Sequence, residues 1–288
     1  MRKKDYLCGD QDLDIMKKYC LDLTVSSADH LSDKHVLLKL TSKEALPEMR
    51  PGQFVEVRVD NSPSTFLRRP ISINNVDLKH NELWLLVAAV GDGTRHLYDL
   101  KAGDQLNCLL PLGNGFSFSN TLSDNDGGAS QVAGTDAAQP KKVLLVGGGV
   151  GVAPLLWQGM KLKERGIAPV FLLGARSAKD LLELPLFKEV GPVYITTEDD
   201  SAGEKGFVTN HSVLQREHFD LIQTCGPKPM MKAVAKYAKE NNIPCEASLE
   251  NMMACGLGAC LCCVEKTVNG NLRVCEDGPV FNIKKLLW

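Results

Sequence analysis

Apolar residues in the first third of the chain fall into short runs separated by turn residues. Residues 36–40, 53–59, 83–90 and 105–110 each read as a strand, partly alternating or nearly continuous in apolar character. Pro51-Gly52 and Lys101-Ala102-Gly103-Asp104 are the turns between them. Several short strands with Gly/Pro turns predict a small β-barrel. At residue 142 the texture changes. A buried strand at 142–146 runs into Gly147-Gly148-Gly149-Val150-Gly151, and a helix follows over 153–162 with Pro154 in its first turn. Strands at 170–174, 193–197 and 219–224 then alternate with helical segments, the last at 229–240. That alternation predicts an α/β domain with a doubly wound parallel sheet. The fold class is a β-barrel plus α/β. The expected division is an N-terminal extension (1–20), the barrel (21–118), a flexible insertion or linker (119–140), the α/β domain (141–245) and a small C-terminal segment (246–288). The insertion is expected because residues 117–139 are rich in Ser, Asp, Asn, Gly and Ala and poor in apolar side chains.

Composition adds constraints but little direction. The 288 residues carry 44% hydrophobic and 24% charged positions and a formal charge of -2, which gives no electrostatic reason to expect nucleic acid or an anionic membrane as partner. No apolar run reaches membrane-spanning length, and no apolar core follows the basic start, so neither a span nor a signal peptide is expected. Ten cysteines without an export signal suggest a reducing, cytoplasmic compartment.

The strongest chemical signal is Cys255-Gly256-Leu257-Gly258-Ala259-Cys260-Leu261-Cys262-Cys263, followed by Cys275. The spacing C-x4-C-x2-C with a later fourth cysteine is that of plant-type [2Fe–2S] ligands. Gly256 and Gly258 allow the backbone to curl so that N–H groups face sulfur. The metal ligands are therefore expected to be Cys255, Cys260, Cys263 and Cys275. Cys262 is an alternative to Cys263, which the x2 spacing favours. A structural zinc is the competing reading, although zinc knuckles usually pair C-x2-C motifs. In the barrel, Arg69-Pro70-Ile71-Ser72 offers a guanidinium and a hydroxyl on an extended backbone, suited to a diphosphate or a ring, or else forms an ordinary edge strand. Gly91-Asp92-Gly93-Thr94 offers backbone donors to a phosphate, or is simply a turn. The strand, Gly-rich turn and helix at 142–162 suit a pyrophosphate at a helix N-terminus, though Val152 breaks the G-x-G-x-x-G spacing.

In this order the motifs resemble the ferredoxin-reductase superfamily, and within it the electron-transfer subunits of NAD-dependent dihydroorotate dehydrogenases. The resemblance is carried by Arg69–Ser72, Gly91–Thr94, 111–116 (Pro-Leu-Gly-Asn-Gly-Phe), 148–155, Cys225-Gly226-Pro227 and 250–256. It implies a ferredoxin-reductase-like barrel binding FAD through Arg69, Pro70, Ile71, Ser72, Leu86, Val87, Ala88, Gly93 and Thr94. It implies NAD at Gly148, Gly149, Gly151 and Pro154, with Cys225 on the hydride path or merely packed beside it. It also implies a partner: an FMN-containing dihydroorotate dehydrogenase catalytic subunit, in a heterotetramer of two copies each, serving pyrimidine biosynthesis. Arg176 and Ser177 leave NAD and NADP open; the resemblance favours NAD. The alternative family is the small subunit of NADH-dependent ferredoxin:NADP oxidoreductase, with the same cofactors.

Overall fold

The structure, a computed structural model, describes residues 17–122 and 139–288. Most of the predicted extension and the insertion over 123–138 lie outside the described residues. Six strands close into an antiparallel barrel: β1 (Tyr19–His30), β2 (His35–Thr41), β3 (Phe54–Val57), β4 (Arg69–Asp77), β5 (Glu82–Ala88) and β6 (Gln105–Leu112), in the order β1-β2-β5-β4-β3-β6 with β1 returning to β6. Strand β1 begins at Tyr19, so Tyr19 and Cys20 belong to the barrel wall. Leu23, Val25, Val55, Val57, Ile73, Leu85 and Val87 fill the interior. Between β5 and β6 lies a short helix, α1 (Asp92–Tyr98), which occupies the stretch read from sequence as a glycine turn.

The second unit runs β7 (Lys142–Gly148), a 3-10 turn at Gly149–Val152, α2 (Ala153–Glu164), β8 (Ala168–Ala175), α3 (Leu184–Val190), β9 (Val193–Thr197), β10 (Glu204–Lys205), α4 (Val213–Arg216), β11 (Leu221–Cys225), α5 (Lys228–Glu240) and β12 (Cys245–Ser248). The C-terminal segment adds a hairpin, β13 (Val264–Thr267) and β14 (Gly270–Arg273), then α6 (Val274–Asp277) and β15 (Val280–Asn282). The sheet order is β10-β9-β8-β7-β11-β12-β15. All its strand pairs are parallel except the last, where β15 runs antiparallel to β12. Both faces of the sheet are covered. Val143 and Leu145 of β7 pack with Leu155 and Leu156 of α2, while Leu144 and Val146 pack with Met231 and Val234 of α5. This explains the unbroken apolar run in β7, since a strand buried on both faces has no polar side.

Chain order turns outward in both directions from β7, because β8 lies on one side and β11 on the other. In open α/β sheets that switch point, at the carboxyl ends of the strands, is where ligands bind. The C-terminal segment ties the sheet to the barrel. The Asn114 N–H donates to Gly278 O at 2.6 Å, and Asn114 bridges to Pro279. A buried polar network reinforces the junction: Gln223 Nε2 donates to Ser117 O and to Glu246 Oε2, both at 2.8 Å, and the Ser117 N–H donates to Glu246 Oε2 at 3.1 Å. Among the described residues no helix is long and apolar enough to cross a membrane.

Candidate redox centre

The cysteine loop 255–263 curls through three residues of positive φ, Gly256 (65°), Gly258 (76°) and Leu261 (58°). The curl turns backbone donors onto sulfur. Leu257 N–H reaches Cys255 Sγ at 3.3 Å, Gly258 N–H reaches Cys275 Sγ at 3.2 Å, and Cys275 N–H reaches Cys263 Sγ at 3.4 Å. The four thiols fall into two contacting pairs, Cys255 with Cys260 and Cys263 with Cys275. Cys263 and Cys275 are buried, whereas Cys260 and the extra Cys262 are exposed. Two thiol pairs, each fed by backbone N–H groups, fit a dinuclear cluster with two thiolates per iron. Cys255 is partly desolvated, which opposes its thiolate. Hydrogen bonds from Leu257, Cys260 and Ala259 outweigh that and lower it to about 6. Burial raises Cys275 to about 12, and its contact with Cys263 adds to the rise.

The loop is clamped from both sides. A side chain on Gly256 would meet Glu56 Cγ at 2.7 Å, and one on Gly258 would meet Arg273 Nη1 at 3.1 Å. Glu56, on β3, is fully buried and neither carboxyl oxygen has a hydrogen-bond partner. Burial pushes it up to about 7, against the pull of Arg69 and Arg68. Sequence reasoning missed this residue. Its signal is a lone carboxylate in an otherwise apolar strand.

The two barrel motifs converge. A Cβ on Gly93 would lie 3.0 Å from Thr65 Cγ2 and 3.1 Å from Arg69 Cδ, so the start of α1 rests on the start of β4. This close approach accounts for glycine at 93. The Arg69 guanidinium is half-buried and folded over its own loop, donating to Leu67 O and Arg68 O. Ser72 is half-buried beside it, and Ile71 packs with the barrel interior. The Thr94 hydroxyl is already used as a local cap, accepting from the Val90 and Gly91 N–H groups at 3.0 Å and donating to Gly91 O. Val87 points into the barrel core, and Leu86 packs with Val152 and Ala153. Of these strand residues only Ala88 is partly open, so Leu86 and Val87 are left with backbone groups to offer a ligand.

The turn after β7 and the turn after β11 form one cradle. A Cβ on Gly151 would lie 2.4 Å from Gly226 Cα, and one on Gly148 would lie 2.7 Å from Met230 Sδ. Gly149 has φ of 56° and open space around it, and Pro154 sits in the first turn of α2. Cys225 closes the cradle floor. It is fully buried, and its thiol lies 3.9 Å from Glu250 Oε1. Burial and the neighbouring carboxylate raise Cys225 well above its ordinary value. Desolvation raises Glu250 too, and the Cys225 hydrogen bond opposes it. Glu250 was read from sequence only as part of a motif. The structure makes it the polar neighbour of the one thiol at the carboxyl end of β11.

A flavin-type barrel, a doubly wound nucleotide sheet and a paired-cysteine loop together define an oxidoreductase of the ferredoxin-reductase type. The family described as "Iron-sulfur cluster binding domain of dihydroorotate dehydrogenase B" matches residues 250–287, and "Oxidoreductase NAD-binding domain" matches residues 145–236. The chain is 39% identical over 243 residues to the dihydroorotate dehydrogenase B (NAD(+)) electron transfer subunit of Shouchella clausii, covering 83% of this chain and 86% of that one. The subunit of the same name from Listeria monocytogenes is 38% identical, over 90% of this chain and 96% of that one. A chain of the NADH-dependent reduced ferredoxin–NADP oxidoreductase superposes with a TM-score of 0.78 at 30% identity, over 92% of this chain and 90% of that one. The cytochrome b5 reductase domain of an Ulva prolifera nitrate reductase shares the fold, with a TM-score of 0.61 at 15% identity over 78% of this chain and 94% of that one. The chain belongs to the family of electron transfer subunits of dihydroorotate dehydrogenase B (NAD(+)).

Proposed function

We propose that this chain carries electrons from an FMN-containing, dihydroorotate-oxidising catalytic subunit to NAD+, in a complex with two copies of each subunit. The observation that carries the reading is the pairing of four cysteines, three on the 255–263 loop and Cys275 on α6, with the loop packed against Glu56 of β3, the strand paired with β4. When bound, a [2Fe–2S] cluster exchanges single electrons, nicotinamide exchanges a hydride, and FAD does both and so joins them.

The chain's own residues then have separable tasks. Cys255, Cys260, Cys263 and Cys275 hold the cluster, and the N–H groups of Leu257 and Gly258 stabilise sulfur charge. Arg69 would hold the FAD diphosphate by its charge, and Ser72 and the backbone of Gly93 and Thr94 would add donors. Gly148, Gly149, Gly151 and Pro154 shape the pyrophosphate cradle of NAD. Buried Cys225 and solvent-exposed Glu250 form the polar end of that cradle. Met252, Leu257 and Leu261, exposed on the same segment as the exposed Cys260, offer apolar side chains suited to docking the catalytic subunit.

Two outcomes test this. Arg69→Ala is expected to weaken FAD binding about ten- to a hundredfold, the worth of a lost charge-assisted pair, measured by flavin fluorescence titration. Unchanged affinity would remove Arg69 from the flavin site. Met252→Asp is expected to weaken subunit association by at least about tenfold while leaving iron content intact, since it places a charge in an apolar contact. Equal association of the variant and the parent would move the docking face elsewhere.

A further inference from the structure

One polar contact between the barrel and the sheet is left half made. Asn74 lies in the middle of β4, fully buried, with Glu183 opposite it at the start of α3. Both Asn74 amide protons are in use: Nδ2 donates to Glu183 Oε2 at 2.8 Å and to Ala153 O, at the head of α2, at 3.2 Å. Asn74 Oδ1 and Glu183 Oε1 are both buried and have no partner. An ionised carboxylate cannot help, because it has only acceptors to offer another acceptor. A carboxylic acid can. With its proton on Oε1, Glu183 donates to Asn74 Oδ1 while still accepting from Nδ2, and one proton satisfies both orphaned atoms.

We propose that Asn74 and Glu183 form a proton-dependent clasp between barrel and sheet, a neutral carboxylic acid paired with a carboxamide through both ends. The clasp is built into the strand that opens with Arg69–Ser72 and touches the helix that follows Gly148–Gly151. It therefore sets the spacing between those two loops. Its consequence for electron flow rests on the cofactor sites proposed above, whereas the clasp itself does not. Burial supports the neutral form, pushing the Glu183 carboxyl from 4.5 up to about 7 while the Asn74 hydrogen bond pulls the other way. No charged side chain on β4, α2 or the Glu183 loop contributes to that shift among the described residues.

The sign of the pH effect follows. The folded chain holds this proton up to about 7 and the unfolded chain releases it near 4.5, so the folded state binds more protons between those values. The clasp's contribution is complete below the lower value, declines as pH rises between them, and levels off above the upper one. Glu183→Gln reproduces the protonated pairing with an amide that does not titrate. In the cofactor-loaded complex, the folded-to-unfolded ratio of the parent relative to Glu183→Gln is expected to fall on the order of a hundredfold from pH 4.5 to pH 8 in denaturant titrations. Taking the ratio cancels every other titrating group. The infrared difference spectrum of parent minus Glu183→Gln is expected to show a protonated-carboxyl C=O band at pH 6 that is gone at pH 9. Asn74→Ala, which removes the acceptor, is expected to shift that band. A flat stability ratio, no band at pH 6, or a band indifferent to Asn74→Ala would each overturn the clasp. If the cofactor sites are wrong but the clasp is right, the band and the stability ratio behave as stated while NAD+ reduction is unaffected.

Discussion

Cys263→Ser is expected to abolish the visible iron–sulfur absorption and to cut dihydroorotate-dependent NAD+ reduction by more than about a hundredfold, because loss of a ligand exceeds the cost of losing its outer-shell support. Cys262→Ser, one residue away, is expected to leave both unchanged. The two side chains differ in where the loop sends them. Leu261, at φ of 58°, turns the chain so that Cys263 lies buried against Cys275 and accepts its N–H, while Cys262 faces outward. A serine at 263 would offer iron a hard oxygen donor where the cluster is held by soft thiolates. Metal analysis and the absorption spectrum check the pair. A bleached Cys262→Ser protein alongside an intact Cys263→Ser protein would exchange their roles.

Gly151→Val is expected to destroy the nicotinamide cradle. Its Cβ would lie 2.4 Å from Gly226 Cα and 2.6 Å from Gly226 N. These are backbone atoms, so no rotamer change relieves the overlap, and the two turns must separate at a cost of about 3 kcal/mol. NAD+ reduction is expected to fall below detection while flavin and iron contents stay near those of the parent. Gly149→Ala is the control. It meets no atom within 4 Å but sits at φ of 56°, so it is expected to cost only about 1–2 kcal/mol of local strain and to lower the rate modestly. Steady-state rates with NAD+, alongside cofactor contents, separate the two. A Gly151→Val protein that still reduces NAD+ would place the nucleotide elsewhere.

Much of the architecture was legible because it is written in local chemistry. The C-x4-C-x2-C spacing with Gly256 and Gly258 announced a curled thiolate loop, and both glycines take the positive φ such a curl needs. The apolar run at 142–146 announced a strand covered on both faces. What was missed lay where burial is decided by distant segments. Strand β1 is largely exposed at both ends, with only Leu23 and Val25 fully buried, so its alternation is faint. Strand β12 reads Cys-Glu-Ala-Ser, too polar to suggest a buried strand, and it becomes one because Gln223 and Ser117, from far along the chain, satisfy Glu246. Helix α1 hid behind two glycines that had suggested only a turn. Glu56, Asn74, Glu183 and Glu250 carry no spacing signal. Asn74, Glu183 and Glu250 each acquire their character from a partner more than twenty residues away, and Glu56 acquires its character from burial against Gly256.

The most direct measurement is made on the chain purified together with its catalytic subunit, without oxygen. Dihydroorotate is added and samples are frozen over time for electron paramagnetic resonance, while NADH formation is followed by absorbance. The expected result is a reduced [2Fe–2S] signal that appears before NADH accumulates, and that is lost along with NADH formation in Cys263→Ser. A complex whose iron ignores dihydroorotate but which passes electrons between ferredoxin and NADP would contradict the proposed role, as would a colourless protein containing a single zinc.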